Sequence, residues 1–251
     1  MNIPNYTENL DPREGMKEKR SKDDFARIET IFVWIDILGF SKKLENENDY
    51  DAMDRLLYCF RDHFVDGNGK YEVTSISDGM ICELNPKRDS WTINDVFSCM
   101  DMIAQKQADF ITKYGYLVRG GISVGTKLDS GQSAGFIGNG LSRAYNTESN
   151  HISWPVIGFV LNKRMKKFFY SFYHIRNIKK YLKLNCTKNE QNEDVYFIDY
   201  KSKITNKMDA IKDLVSTELK KEDNPLRVKM KYEWVKQYFG FDLEEKAFLV
   251  K

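Results

Sequence analysis

The sequence predicts an α+β fold, with one mixed or antiparallel sheet, helices on one face and a C-terminal extension. Three observations carry this expectation. Short apolar runs rich in β-branched and aromatic residues alternate with longer segments of 3.6-residue apolar spacing. Their order is β-α-β-β-α-β-α, which departs from the strict alternation of a parallel sheet. Turn residues separate the segments, as in Asp66-Gly67-Asn68-Gly69 and Ser77-Asp78-Gly79.

The polar stretch 1–28 reads as an N-terminal lead-in with no apolar signal region. IETIFVWIDILGF then reads as a buried strand ending at Gly39. Met53, Leu56, Leu57, Phe60 and Phe64 keep helical spacing. KYEVTSISDGMICELN reads as a hairpin, with strands Val73 to Ile76 and Met80 to Leu84 around an Asp78-Gly79 tip. Val96, Phe97, Met100, Ile103, Ala104 and Ala108 mark a helix over 94–114, and YGYLVRGGISVGTKL marks another strand region. A Gly- and Ser-rich loop follows, and LSRAYNTESN opens a further helix. Beyond about residue 155 the chain mixes cations with aromatics, holds one more strand at VYFIDY, and reads as charged helix over 206–238. The expected organisation is a catalytic domain over 29–160 and an α/β extension over 161–251 packed on it.

Composition narrows the function. The 251 residues are 41% hydrophobic and 30% charged, an ordinary globular balance. The net charge of +2, from 39 basic and 37 acidic residues, gives no footprint for nucleic acid. No run is long enough for a spanning helix, so a cytoplasmic protein without stable membrane insertion is expected. The basic-aromatic stretch 163–183 reads as a packing segment with solvated lysines rather than a lipid-binding helix. Cys59, Cys82, Cys99 and Cys186 lack metal-ligand spacing and read as reduced, mostly buried thiols.

Three residues stand out chemically. Asp36 lies inside the apolar run WIDILGF, where a carboxylate is costly unless it is paired, caps a helix or binds metal. Asp78 at a hairpin tip reads alone as turn chemistry. Two such acids at the ends of adjacent strands could converge, and hard oxygen ligands suit Mg²⁺ or Mn²⁺ with nucleotide phosphates completing the shell. Backbone amides near Gly39 suit a phosphate. Arg119, in LVRGGISVG, is either a surface arginine or a bidentate phosphate ligand.

The order IDILGFS, SDGM about 40 residues later, RGGISVG and FIGNGLSRAYNTES resembles the class III nucleotidyl cyclase domain over residues 30–150. The resemblance implies a ferredoxin-like sheet and a homodimer with active sites at its interface. It implies two Mg²⁺ or Mn²⁺ ions held by Asp36, Asp78 and the carbonyl of Ile37. Gly39, Phe40 and Ser41 match the phosphate-cradling turn, and Arg119 matches an arginine that contacts the triphosphate.

Other positions depart from the family. Ser142 stands where an Asn orients the ribose, and Asn146 stands where an Arg stabilises the transition state. Gly135 and Thr74 stand where adenylate cyclases use Asp and Lys to read the purine. Arg143 is a candidate replacement for the missing arginine, and Tyr71 and Thr74 are candidates to face the base. Metal and phosphate positions are kept while purine contacts are changed. In this the chain is similar to the pyrimidine cyclases of the Pycsar antiphage system. That implies UTP or CTP as substrate and a separate effector that responds to the cyclic nucleotide. An adenylate or guanylate cyclase and an inactive nucleotide sensor are the competing expectations.

Overall fold

In the computed structural model, residues 26–40, 50–65, 71–84, 93–129, 139–167, 184–204 and 206–242 are described. Ser41, Gly135, the lead-in up to residue 25 and most of the basic-aromatic stretch lie outside them. The chain begins with β1 (Ala26–Ile37), α1 (Tyr50–Phe64), β2 (Tyr71–Ile76), β3 (Gly79–Leu84), α2 (Ile93–Tyr114), β4 (Val118–Asp129) and α3 (Gly140–His151). It continues with β5 (Ile157–Val160), β6 (Leu184–Lys188), β7 (Asp194–Ile198), α4 (Met208–Lys220) and α5 (Leu226–Phe239).

One seven-stranded sheet runs in the order β2-β3-β1-β4-β5-β7-β6. The first four strands are mutually antiparallel neighbours, in the order of a split β-α-β-β-α-β unit. β5 joins β4 in parallel, and β7 and β6 then extend the sheet antiparallel. The fold is therefore α+β with a mixed sheet. The C-terminal segment is built into that sheet through β7 and β6, and its helices pack over it.

The side-chain alternation of β1 divides the molecule into two faces. Ile31, Val33, Ile35 and Ile37 enter the large core with Met53, Leu56, Phe60 and Phe64 of α1. Val96, Met100, Ile103, Ala104 and Ala108 of α2 close the same core. These are the residues whose helical spacing marks both elements in the sequence. Phe32 and Trp34 point the other way and pack with Ile81 and Ala144 of α3. This corrects the expectation of helices on one face: α3 covers the face opposite α1 and α2.

The charged segment 206–238 is not one helix. It breaks between Lys220 and Leu226, where Pro225 caps α5 and has no N–H to continue a helix through it. The side-chain amide of Asn224 donates to the Glu218 carbonyl at 2.8 Å and fastens the corner. Cys82 and Cys99 are buried and Cys59 is half-buried, but Cys186 is exposed on the edge strand β6, against the expectation of mostly buried thiols. Among the described residues, no helix is long and apolar enough to cross a membrane.

Candidate active site

The ends of β1, β3 and β4 bring three distant sequence segments to one spot. Asp36 is paired in register with Gly79 on one side and with Arg119 on the other. Asp78 immediately precedes Gly79, in a two-residue turn between β2 and β3. That turn needs left-handed backbone at Ser77, whose φ is 55°, and Arg61 donates to the Ser77 carbonyl at 3.3 Å. Antiparallel pairing thus places the two acids next to one another.

The Asp36 carboxyl is pushed up to about 7. Loss of hydration is the main cause, and the Glu148 and Asp78 carboxylates add to it. Arg119 and the Ile37 N–H pull in the other direction without cancelling them.

Arg119 joins the two sides of the site. Its Nε lies 3.9 Å from Asp36 Oδ2 and forms a closer ion pair with Glu148 Oε1. Its Nη1 donates to the Ile152 carbonyl at 3.4 Å. Glu148 is 2% exposed. It reaches Arg119 because α3 lies almost backbone to backbone on β4. A Cβ on Gly121 would stand 2.1 Å from the Ala144 carbonyl oxygen, and one on Gly125 would stand 2.1 Å from the Gly140 Cα. Gly121 and Gly125 of the RGGISVG segment are thus clearance for a helix, whereas a Cβ on Gly120 would stand 2.4 Å from the Trp34 carbonyl oxygen of β1.

Two residues that sequence reasoning missed belong to this cluster. Glu148 has a signal in hindsight: Gly140, Ala144 and Glu148 form the buried stripe of α3, and a carboxylate on such a stripe needs a cationic partner. Lys231 of α5 is half-buried and close enough to sense Arg119, Arg227, Asp36 and Glu148. Burial first, then the Arg119 and Arg227 cations, pulls its ammonium down to about 8, against the two carboxylates. No local pattern links residue 231 to residue 36.

The other expected residues fall into three groups. Thr74 is paired with Ile81, which is paired with Trp34, so Thr74 shares the face of Asp36. Gly39 adopts the left-handed φ of 81° directly after β1, where the chain turns away. Phe40 is buried in the core, which leaves only its backbone for a ligand. Tyr71 is also core, and its hydroxyl donates to the Phe64 carbonyl at 2.8 Å, so it does not face the base. Ser142 and Asn146 share the exposed side of α3, turned away from the sheet and from Asp36. Arg143 donates to the Val124 carbonyl at 3.5 Å. Val124 is paired with Ile31, five positions from Asp36 and so about 16 Å along the strand.

The donors fit a hard divalent cation. Asp36 and Asp78 could offer carboxylate oxygens and Ile37 a carbonyl, and a cation between the acids would relieve the share of the Asp36 shift that comes from Asp78. Among the described residues, no three or more His, Cys, Asp or Glu side chains are grouped to hold a metal by themselves. The remaining coordination would fall to backbone, solvent and ligand oxygens. No known family model matches the chain, and no curated protein matches it.

Proposed function

We propose that the protein is a metal-dependent nucleotide cyclase that converts UTP or CTP to the 3′,5′-cyclic monophosphate and pyrophosphate. The observation that carries the reading is the convergence of Asp36, Asp78 and Arg119 from three sequence motifs onto one end of three adjacent strands. Asp36, Asp78 and the Ile37 carbonyl would hold two Mg²⁺ or Mn²⁺ ions. Those ions would neutralise phosphate charge and lower the pKa of the attacking hydroxyl. Arg119, held by Glu148, would position the Asp36 carboxylate at the strand end. In this reading the backbone amides at the left-handed turn of Gly39 would take the phosphates. In the reaction the ribose 3′-oxygen bonds to the α-phosphorus, the bond to the bridging α,β-oxygen breaks, and pyrophosphate leaves.

A pyrimidine is favoured because Thr74, on the Asp36 face, is too short to act as the lysine that reads a purine edge. Ser142 and Asn146 are exposed on α3, as residues offered to a second copy of the chain would be. A symmetric homodimer would then carry two composite sites. A product that signals to a separate cyclic-nucleotide-responsive effector, in an antiphage defence system, completes the reading.

The test is to incubate the purified chain with each of ATP, GTP, CTP and UTP and Mn²⁺, and to separate the products by chromatography. A cyclic pyrimidine product, lost in Asp36→Ala and Asp78→Ala, supports the reading. A cyclic purine would keep the chemistry and overturn the base assignment. Nucleotide binding without pyrophosphate release by a folded dimer would favour a sensor.

A further inference from the structure

We infer that the C-terminal helix α5 supplies the phosphate-binding cation of this site, through Lys231 with Arg227 one turn before it. This rests on the nucleotide reading and extends it to a part of the chain that no cyclase-like motif covers.

Placement comes first. Arg119 donates to the Ile152 carbonyl, and two residues later Trp154 stacks on Trp234 of α5, with ring centroids 6.3 Å apart and planes 9° apart. Trp234 also meets Phe197 of β7 edge-on, and its indole N–H donates to the Thr187 hydroxyl at 3.3 Å. These contacts fix α5 against the face of the sheet that carries Asp36. Lys231 lies three residues before Trp234, on the same side of the helix and about 5 Å back along its axis. From there it senses Arg119, Asp36 and Glu148, and Arg227 on the preceding turn joins the same field.

Charge comes second. The guanidinium of Arg119 is only 19% exposed and is already engaged by Glu148, Asp36 and the Ile152 carbonyl. Its positive charge is largely compensated before any ligand arrives. A polyphosphate entering beside Asp36 and Asp78 needs further cations to offset its charge. Among the described residues no acid forms a hydrogen bond or ion pair with Lys231, and Arg227 is exposed. Lys231 is half-buried in a field of two cations, Arg119 and Arg227, and two carboxylates, Asp36 and Glu148, and an anion entering beside Asp36 would meet its charge.

The two ideas fail separately in one experiment. Mn²⁺ with inorganic tripolyphosphate is titrated calorimetrically into the full-length wild type, Lys231→Gln and Lys231→Arg, with melting curves as a folding control. The expected result is tripolyphosphate affinity about tenfold weaker in Lys231→Gln, the loss of one charge-assisted contact, and within about threefold of wild type in Lys231→Arg. Mn²⁺ affinity without polyphosphate should not weaken in either variant. Unchanged polyphosphate affinity in Lys231→Gln would overturn the assignment and leave the nucleotide reading standing. Equal loss in both variants, with equally lowered melting temperature, would make Lys231 a packing residue and overturn it too. A wild type that takes Mn²⁺ but no polyphosphate would overturn the nucleotide reading and this inference with it. Should Lys231→Gln not fold, the exposed Arg227→Gln serves in its place: weakened polyphosphate binding supports the cationic helix and unchanged binding contradicts it.

Discussion

Asp36 is the residue on which the proposed chemistry turns, and its carboxyl is the most informative group to titrate. Its neighbours are Asp78, Glu148, Arg119 and the Lys231 ammonium of α5. Raised from 3.8 to about 7, it binds a proton in the folded chain that the unfolded chain has released. Between those two values the folded state holds more protons, so this group's contribution to stability declines as pH rises through the window and levels off above about 7. Urea titrations of metal-free protein across that window should show this decline, and Asp36→Asn should flatten it. A divalent ion competes with the same proton, so Mn²⁺ affinity should climb up to about pH 7 and then plateau. Glu148→Ala should cost about 3 kcal/mol, because it removes the closest ion-pair partner of Arg119 and leaves only the longer contacts to Asp36 and the Ile152 carbonyl, and urea unfolding midpoints measure the loss.

At the scale of elements, the docking of α3 on β4 decides the geometry of the site. Gly121→Val suits a strand by propensity yet drives a side chain into the α3 backbone. It should destabilise by about 1–3 kcal/mol and weaken Mn²⁺ binding at Asp36, read by melting temperature and metal titration together. The helices α1 and α2 were legible because their buried residues keep one period, from Met53 to Phe64 and from Val96 to Ala108. The hairpin was legible from Asp78-Gly79, and with it the convergence of the two acids. β5 was not, since four residues set no period. Nor was β6, an edge strand whose Leu184–Lys188 run is largely polar and exposed. The side of the sheet that α3 takes was hidden as well: in the sequence Gly121 and Gly125 read as a bulge or a tight bend, and clearance for a helix shows only once α3 lies on them. Glu148 shows in the sequence only as a carboxylate on the small-residue stripe of α3, and Lys231 joins the cluster through tertiary packing alone, which no local pattern encodes.

At the scale of the whole molecule, the boundary near residue 160 falls inside a continuous sheet. β5 is flanked by β4 on one side and β7 on the other, so the strands on either side of residue 160 share hydrogen bonds. Buried Phe159 and Ile157 share the large core with Val195, Tyr196, Phe197 and Ile198 of β7, and the Phe159 and Tyr196 rings lie 6.1 Å apart. A chain truncated after Val160 should expose that edge, lose the cooperative unfolding transition of the full chain and bind a hydrophobic dye. Retained cooperative melting in the truncated chain would show that the first four strands fold alone. The proposed role of Lys231 would extend the same dependence to function, because the helix that packs on the C-terminal part of the sheet places Lys231 in the field of Asp36.

The central claim is that register pairing of β1 with β3 makes Asp36 and Asp78 ligands of the same ion. It is tested most directly by Mn²⁺ titration, followed by electron paramagnetic resonance, of the wild type, Asp36→Asn, Asp78→Asn and the double variant. The account predicts that each single substitution removes most of the affinity and that the double loses little more, as two ligands of one site should behave. Wild-type Mn²⁺ affinity in Asp78→Asn, with Asp36→Asn impaired, would contradict it and leave Asp78 a turn residue.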